Sequence, residues 1–121
     1  WNELMMKYLG IQPPNDALGV LQDSHWSGGA FGYFPSYTLG AMYACQFYNT
    51  LLREQPDTEK HISNGHFAPI KQWLNEKIHR QGRLYTPQEL VQLVTGEALN
   101  PDYFIGHLKH KYSAIYGLTS V

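Results

Sequence analysis

The chain has 121 residues, of which 43% are hydrophobic and 16% charged. That length suffices for one compact domain and is too short for a large two-lobed enzyme, so we expect a single segment over residues 1–121. The formal net charge is −1, and the nine lysine and arginine residues are scattered along the chain. Because no basic cluster is available for a phosphate backbone, nucleic acid is not an expected partner.

Neither a membrane span nor a secretory leader is predicted. The longest uncharged stretch, residues 24–52, is interrupted by glycine, proline and amide side chains, so it does not suit a bilayer-spanning helix. Cys45 is the only cysteine, which excludes an internal disulfide and a thiolate zinc cluster and favours the reducing cytoplasm. Residues 1–9 lack a basic leader and a small-residue cleavage site, so they predict a helix cut partway along and not a signal peptide.

The first half of the chain predicts two helices. Residues 1–9 form the first, which Gly10 and the pair Pro13-Pro14 end. Asn15 and Asp16 are suited to cap a short turn that leads towards Gln22 and Asp23. A longer helix is predicted over residues 36–53, because apolar side chains recur there at intervals of three and four, giving one buried stripe. The stripe consists of Leu39, Met42, Tyr43, Phe47 and Leu51.

Three further helices are predicted after the polar run 54–60, which ends or interrupts the long one. The second long helix carries a stripe from Ile70 to Ile78 and closes at Gly82. A short helix to about Val94 follows the capping pattern Thr86-Pro87-Gln88-Glu89. Residues 100–102 repeat the cap-then-proline signal before a last helix that fades at Gly117. No alternating strand pattern of useful length occurs, so the predicted fold class is all-α. The stripe of that last helix is Phe104, Leu108, Tyr112 and Ile115.

The most informative stretch is the glycine-rich run over residues 19–37. His25 can supply a proton, a hydrogen bond or a metal-directed lone pair near neutral pH. Gln22 and Asp23 are close enough in sequence to orient His25 or a substrate amide; alternatively, all three side chains cap the helices that meet in this loop. The glycines at positions 28, 29 and 32 permit left-handed or closely approaching backbone that would line a cleft, or form an ordinary turn.

Two phenols follow in the same run. Tyr33 and Tyr37 are one helical turn apart if Pro35-Ser36 opens the next helix, which would aim both in a similar direction. A phenol there is able to donate to a developing oxyanion. The alternative is that both are ordinary core tyrosines with satisfied hydroxyl groups.

The run Gly19-x-x-Gln22-Asp23-x-His25-Trp26, followed by Ser27-Gly28-Gly29-x-Phe31-Gly32-Tyr33-Phe34-Pro35-Ser36-Tyr37-Thr38-Leu39-Gly40, closely resembles the carboxypeptidase Taq family of zinc metallocarboxypeptidases. Shorter matches continue to Lys111-Tyr112, so the resemblance covers nearly the whole chain. It implies the C-terminal helical part of a larger, mostly helical, cleft-shaped zincin-type peptidase. Members of that family are homodimers that release single residues from peptide C-termini, with zinc or cobalt held by a His-Glu-x-x-His helix and a downstream Glu.

None of those metal ligands has a place in this chain. His61 and His66 have the wrong spacing and no intervening Glu. His107 and His110 lie three apart on a predicted helix and could chelate a metal adventitiously, but a solvated face is the better interpretation. No counterpart of the family's arginine-bearing motif is found either. The resemblance therefore implies that the chain supplies the far wall of the cleft and that the metal-binding part lies upstream.

The spacing His25-x-x-Gly28-Gly29 and then Tyr37 is also similar to the thimet oligopeptidase group, whose His and Tyr bind the oxyanion. By that resemblance Tyr37 is the oxyanion donor and His25 its partner, with Tyr33 the second-choice phenol. Gln22 and Asp23 would orient His25 or the scissile amide. Two aromatic neighbours are expected to pack and not to bind substrate, namely Trp26 and Phe31.

The resemblance also implies a mechanism, in which zinc polarises a water, a glutamate takes its proton, and Tyr37 with His25 stabilises the oxyanion. Because the ligands and the base are absent, the 121-residue chain is predicted to be inactive without the rest of its parent polypeptide. The alternative is a free-standing, non-catalytic helical interaction module. A minimal metal-free hydrolase using Asp23 and His25 lacks a nucleophile, because no strand-turn-helix elbow surrounds Ser24 or Ser27.

Overall fold

The computed structural model describes residues 1–118 and contains only helices and loops within them. The prediction of an all-α fold is confirmed. Short 3-10 helices cover Asp16–Leu18, Val20–Gln22 and His79–Gln81. The α-helices are α1 (Asn2–Leu9), α2 (Ser24–Ser27), α3 (Pro35–Glu54), α4 (Thr58–Ser63), α5 (Ala68–Lys77), α6 (Pro87–Thr95) and α7 (Asp102–Tyr116).

The helix ends follow the local signals of the sequence. Helix α1 ends at Gly10, whose backbone is left-handed and whose N–H donates to the carbonyl of Met6. Helix α6 begins with the predicted capping box: the Thr86 hydroxyl accepts from the Glu89 amide, and the Glu89 carboxylate accepts from the Thr86 amide. Each of these bonds joins residues three or four apart, which is why sequence alone predicts them.

Two short helices were not predicted. Helix α4 begins inside the polar run 54–60, where the buried Thr58 donates its hydroxyl proton to the carbonyl of Gln55 over 2.7 Å. Helix α2 lies inside the glycine-rich run. The last helix begins at Asp102, one residue later than the cap-then-proline signal placed it, although the Asn100 side chain does accept from the Asp102 amide. The predicted second long helix is shorter than expected, because α5 gives way to a 3-10 turn before Gly82.

The chain divides into two compact units, Trp1–Tyr37 and Thr38–Val121. The prediction of a single segment over residues 1–121 stays a prediction. Within residues 1–118, none of the helices is both long and apolar enough to span a membrane.

The core of the second unit is built around Leu51, Trp73 and Val94, which come from α3, α5 and α6. The indole N–H of Trp73 donates to Oε2 of Glu54 over 2.7 Å, and the Glu54 Oε1 accepts from Lys77. The buried indole therefore keeps its polar atom satisfied at the edge of the core. Partly buried apolar residues around this core are Phe47, Ile70, Leu74, Ile78 and Leu90.

A buried amide accompanies this core. Gln46 is 0% exposed; its Nε2 donates to the hydroxyl of Thr95 and to the carbonyl of Ala98, and its Oε1 accepts from the amide of Asn100. Three hydrogen bonds thus tie the middle of α3 to the end of α6 and the loop after it. This role was not predicted, because an internal glutamine looks the same in a sequence whether it faces water or a packed loop.

The predicted stripes are only partly buried, which corrects the prediction. In α3 the buried residues are confined to the second half, at Gln46, Thr50 and Leu51, while Leu39 is 45% exposed. Helix α7 has no fully buried residue, and Ile115 is 61% exposed. Periodicity identifies the apolar face of a helix, but burial requires a neighbouring element, and these ends of α3 and α7 stay largely exposed in the described structure.

Within residues 1–37, the one fully buried residue is Gly19. A Cβ atom at this position would lie 3.1 Å from the carbonyl oxygen of Asn15, 3.1 Å from Cβ of Pro13 and 3.2 Å from the indole of Trp1. Close packing between the 3-10 turns and the start of α1 thus favours glycine at the first position of the motif, because any larger residue would force a neighbour to move.

Candidate functional site

The site begins with a helix cap. Asp23 has extended backbone and forms the N-cap of α2, where its Oδ1 accepts from the backbone amide of His25 over 2.8 Å. Aspartate is favoured at this position because its side chain satisfies an amide that the helix leaves unpaired. The capping interpretation of Asp23 is therefore correct.

The same carboxylate oxygen also holds the imidazole of His25. Oδ1 of Asp23 lies 2.9 Å from Nδ1 of His25, and the side chains of His25 and Asp23 are 24% and 16% exposed. Loss of water around Asp23 raises its pKa, but the hydrogen bonds and charge interaction with His25 outweigh this effect and keep the pKa below its ordinary value. Asp23 thus caps α2 and orients His25 at once, so the two predicted roles are not alternatives.

The opposite edge of the imidazole faces a phenol. Nε2 of His25 lies 3.3 Å from the hydroxyl oxygen of Tyr37, which belongs to the first turn of α3. Pro35 opens that helix, as predicted, and proline suits a first helical position because it has no N–H to satisfy there. The structure thus joins the side chains of Asp23, His25 and Tyr37 in one hydrogen-bond network.

Aromatic rings enclose His25 on its other sides. Tyr33 lies just before α3 and stacks on the imidazole, with ring centroids 5.2 Å apart. Phe34 meets the imidazole edge-on at 5.4 Å, and Tyr33 meets Tyr37 edge-on at 5.6 Å. Both phenols contact His25; their spacing predicted a similar direction from one helix, but Tyr33 precedes α3. Phe34 was not predicted as a site residue, although it stands in the family motif and in the aromatic run 31–37.

The glycines of the loop differ in what they do. Gly29 and Gly32 have φ values of +76° and +77°, in the left-handed region that favours glycine. A Cβ atom at either position would meet no atom within 4 Å, so the requirement is backbone conformation and not close approach. Gly28 has a φ of −86° and ends α2 with a conformation that other residues adopt. The expectation of special backbone is confirmed for two of the three.

Gln22 is placed differently from the other predicted site residues. Its Nε2 donates to the carbonyl of Ala17 over 2.6 Å, which supports the 3-10 turns before the site. Its role towards a substrate stays a prediction. Trp26 and Phe31 contact one another, with ring centroids 6.3 Å apart, yet they are 45% and 76% exposed. The expected packing of these two rings is thus only partial.

An open, mainly apolar cavity of about 700 Å³ lies in the same unit. Its lining includes Asp23 and Gln22 together with apolar side chains of α1, α2 and the loop. Clefts of this kind, apolar with a few polar groups, are typical of ligand sites. The apolar side chains are Trp1, Met5, Leu9, Val20, Trp26, Phe34 and Pro35.

The described residues do not assemble a metal site. Within residues 1–118, no group of three or more His, Cys, Asp and Glu side chains is close enough to hold a metal ion. His61 and His66 lie near one another, with ring centroids 6.1 Å apart. His107 and His110 are both exposed on α7, in keeping with a solvated face.

Comparison with known proteins places the chain among the metallopeptidases. The matching family model, which covers residues 1–112, is that of the carboxypeptidase Taq (M32) metallopeptidases. The chain belongs to this family, as the motif over residues 19–40 predicted.

Relatives and solved structures agree with this assignment. Carboxypeptidase 1 of Bacillus subtilis is 49% identical over 116 residues, which are 96% of this chain and 23% of the relative. Thermostable carboxypeptidase 1 of Pyrococcus furiosus is 44% identical over 112 residues, 93% of this chain and 22% of the relative. The M32 carboxypeptidase structure from Deinococcus radiodurans R1 matches with a TM-score of 0.92 at 35% identity, covering 98% of this chain and 24% of that one. The chain thus spans less than a quarter of the length of these relatives.

Proposed function

We propose that this chain supplies the oxyanion-binding wall of the cleft in a metallocarboxypeptidase that releases single amino acids from peptide C-termini. The observation that carries the proposal is the hydrogen-bond network from Asp23 through His25 to Tyr37. Tyr37 is 58% exposed, so its hydroxyl is open to a second partner besides His25. Family membership supplies the reaction class.

The chemistry of the proposed wall follows from its donors. When a peptide carbonyl is attacked, negative charge develops on its oxygen, and a hydroxyl that donates to this oxygen stabilises the charge. Tyr37 is the proposed donor and His25 the group that positions and polarises it. Tyr33, Asp23 and Gln22 are proposed substrate-side residues. Tyr33 is the second-choice phenol because it contacts only the ring face of His25.

The metal that the family implies is not accommodated by the described part of this chain. Residues 1–118 bring no three potential ligands together, so we derive no step through a metal ion. We propose that zinc or cobalt is held by other parts of the parent protein, and that the isolated chain does not hydrolyse peptides. A homodimer in the cytoplasm is the proposed state of that parent.

Exposed apolar side chains support a role as part of a larger protein. In the first unit Leu21 is 72% and Phe31 76% exposed, and in the second Leu84 is 78% exposed. Where such side chains form a contiguous patch, a partner usually covers it, and the proposed partner is the remaining polypeptide of the parent. The alternative, a free-standing helical interaction module, predicts instead that the chain is a monomer at high concentration in size-exclusion chromatography.

A chimera tests the proposed function. These residues would replace the matching segment of the Bacillus subtilis carboxypeptidase 1, which is 49% identical to them. In the chimera, Tyr37→Phe should lower kcat by about 100- to 1,000-fold, because one oxyanion donor is lost, with a much smaller change in KM. His25→Gln should act in the same direction.

Tyr8→Phe serves as the matched control, since Tyr8 is an exposed phenol of α1 and is not among the residues that contact His25. This variant should retain the activity of the chimera. A Tyr37→Phe chimera with a kcat within a factor of about three of the control would refute the oxyanion role. Metal-dependent release of C-terminal residues by the 121-residue chain alone would refute its predicted inactivity.

A further inference from the structure

We infer that Asp23 locks neutral His25 in the tautomer that carries its proton on Nδ1, so that the Tyr37 hydroxyl donates to Nε2 until His25 becomes protonated. Asp23 is a positioning residue in this scheme, because it touches His25 and acts on Tyr37 only through the imidazole. The consequence for catalysis rests on the proposed oxyanion role of Tyr37. The direction of the two hydrogen bonds made by His25 does not depend on that role.

The first step follows from the donors and acceptors around Asp23. Its Oδ1 receives the backbone amide of His25 at 2.8 Å and lies 2.9 Å from Nδ1 of the same residue. An ionised carboxylate only accepts hydrogen bonds, so Nδ1 must carry a proton to complete the second bond. The hydrogen bonds from His25 also keep the Asp23 carboxyl ionised, although its partial desolvation opposes this. In a neutral imidazole, the tautomer is set by the partner of one nitrogen, so Nε2 is left with a lone pair.

The second step concerns the phenol. Nε2 of His25 lies 3.3 Å from the hydroxyl oxygen of Tyr37. Because Nε2 is then an acceptor, the proton in this hydrogen bond must come from the hydroxyl group. In the neutral state the phenol proton therefore points at His25 and not at a substrate oxygen.

Protonation reverses the direction of that bond. An imidazolium has a proton on both nitrogens, so Nε2–H donates to the Tyr37 oxygen and the phenol proton becomes free to turn outward. Besides Asp23 and Tyr37, the groups that face His25 within residues 1–37 are the rings of Tyr33 and Phe34. Among these four, Asp23 carries the formal charge at neutral pH. The charge state of His25 thus decides whether Tyr37 is available as an oxyanion donor.

Nitrogen NMR on the 121-residue chain tests the tautomer directly. Histidine is labelled with ¹⁵N, the His25 signals are assigned by their loss in His25→Gln, and spectra are recorded above the pH at which His25 loses its extra proton. Chemical shifts distinguish a protonated ring nitrogen from one with a lone pair. We expect Nδ1 to be protonated and Nε2 to carry the lone pair. The ratio of the Nδ1–H to the Nε2–H tautomer should be about tenfold higher than in the same chain in denaturant, as a charge-assisted hydrogen bond predicts.

Two variants separate the contributions of the partners. Asp23→Asn retains a good N-cap but loses the charge, so the ratio should move severalfold towards that of the denatured chain, with helix content checked by circular dichroism. Tyr37→Phe should keep the Nδ1–H tautomer and shift only the Nε2 signal. A folded-chain ratio equal to the denatured one, or an unchanged ratio in Asp23→Asn, would overturn the inference. If the Nδ1-protonated tautomer is found but the Tyr37→Phe chimera stays active, the proposed function fails. The inferred direction of the His25 hydrogen bonds then still stands.

Discussion

Replacing Gln46 with leucine should destabilise the second unit by about 1 to 3 kcal/mol. The change removes an amide that is 0% exposed and leaves the carbonyl of Ala98 and the amide of Asn100 without their partners. An unsatisfied buried polar group costs about 1 to 3 kcal/mol. We take the lower half of that range for each of the two, because both bonds are only partly buried, and subtract about 1 kcal/mol for the added apolar contact of leucine. Thr95 adds little, since its hydroxyl still donates to Val91.

Urea unfolding of the whole chain, followed by helical circular dichroism and by tryptophan fluorescence, to which the buried Trp73 contributes, measures this effect. With a slope of about 1 kcal/mol per molar for a unit of this size, the midpoint should fall by about 2 M. Gln92→Leu is the matched control, because Gln92 is exposed and its amide makes one bond, to the carbonyl of Gly96. Equal midpoints for the two variants would refute the reasoning that buried hydrogen bonds of Gln46 hold α3 to the loop after α6.

Two further predictions concern stability. The hydrogen bond from Trp73, reinforced by Lys77, lowers the pKa of Glu54 in the folded chain. Ionised Glu54 therefore stabilises the fold at pH values above its ordinary pKa. This contribution is lost as the pH falls through the lowered pKa. Glu54→Gln should therefore be less stable than the parent at pH 7, and the gap in urea midpoint should close in acid; a gap that does not depend on pH would contradict this. Gly96 ends α6 with a φ of +85°, whereas Gly40 lies inside α3, and a Cβ atom added at either glycine would meet nothing within 4 Å. Gly96→Ala should thus lower the free energy of unfolding by about 1 kcal/mol, while Gly40→Ala should raise it by about 0.5 to 1 kcal/mol. Thermal midpoints of the two variants that shift in the same direction would contradict this.

Features of the site that depend on near neighbours were predictable from the sequence. Asp23 and His25 are two residues apart, so a cap and a carboxylate–imidazole contact are both within reach of one side chain. The family motif over residues 19–40 was also visible, because it is a run of residue identities. Its chemistry was left open between capping and orientation, and the sequence had no means to show that one oxygen does both.

The sequence by itself determined where most helices begin and end and what family the chain belongs to. Capping bonds such as that between Thr86 and Glu89 span three residues and need nothing from elsewhere in the chain. Only the tertiary structure decided which apolar faces are covered, that Gln46 bonds to residues 49 to 54 positions away, and that Tyr37 reaches His25. The physical reason is that periodicity and capping are local, whereas burial and hydrogen bonding across distant segments depend on which elements pack together.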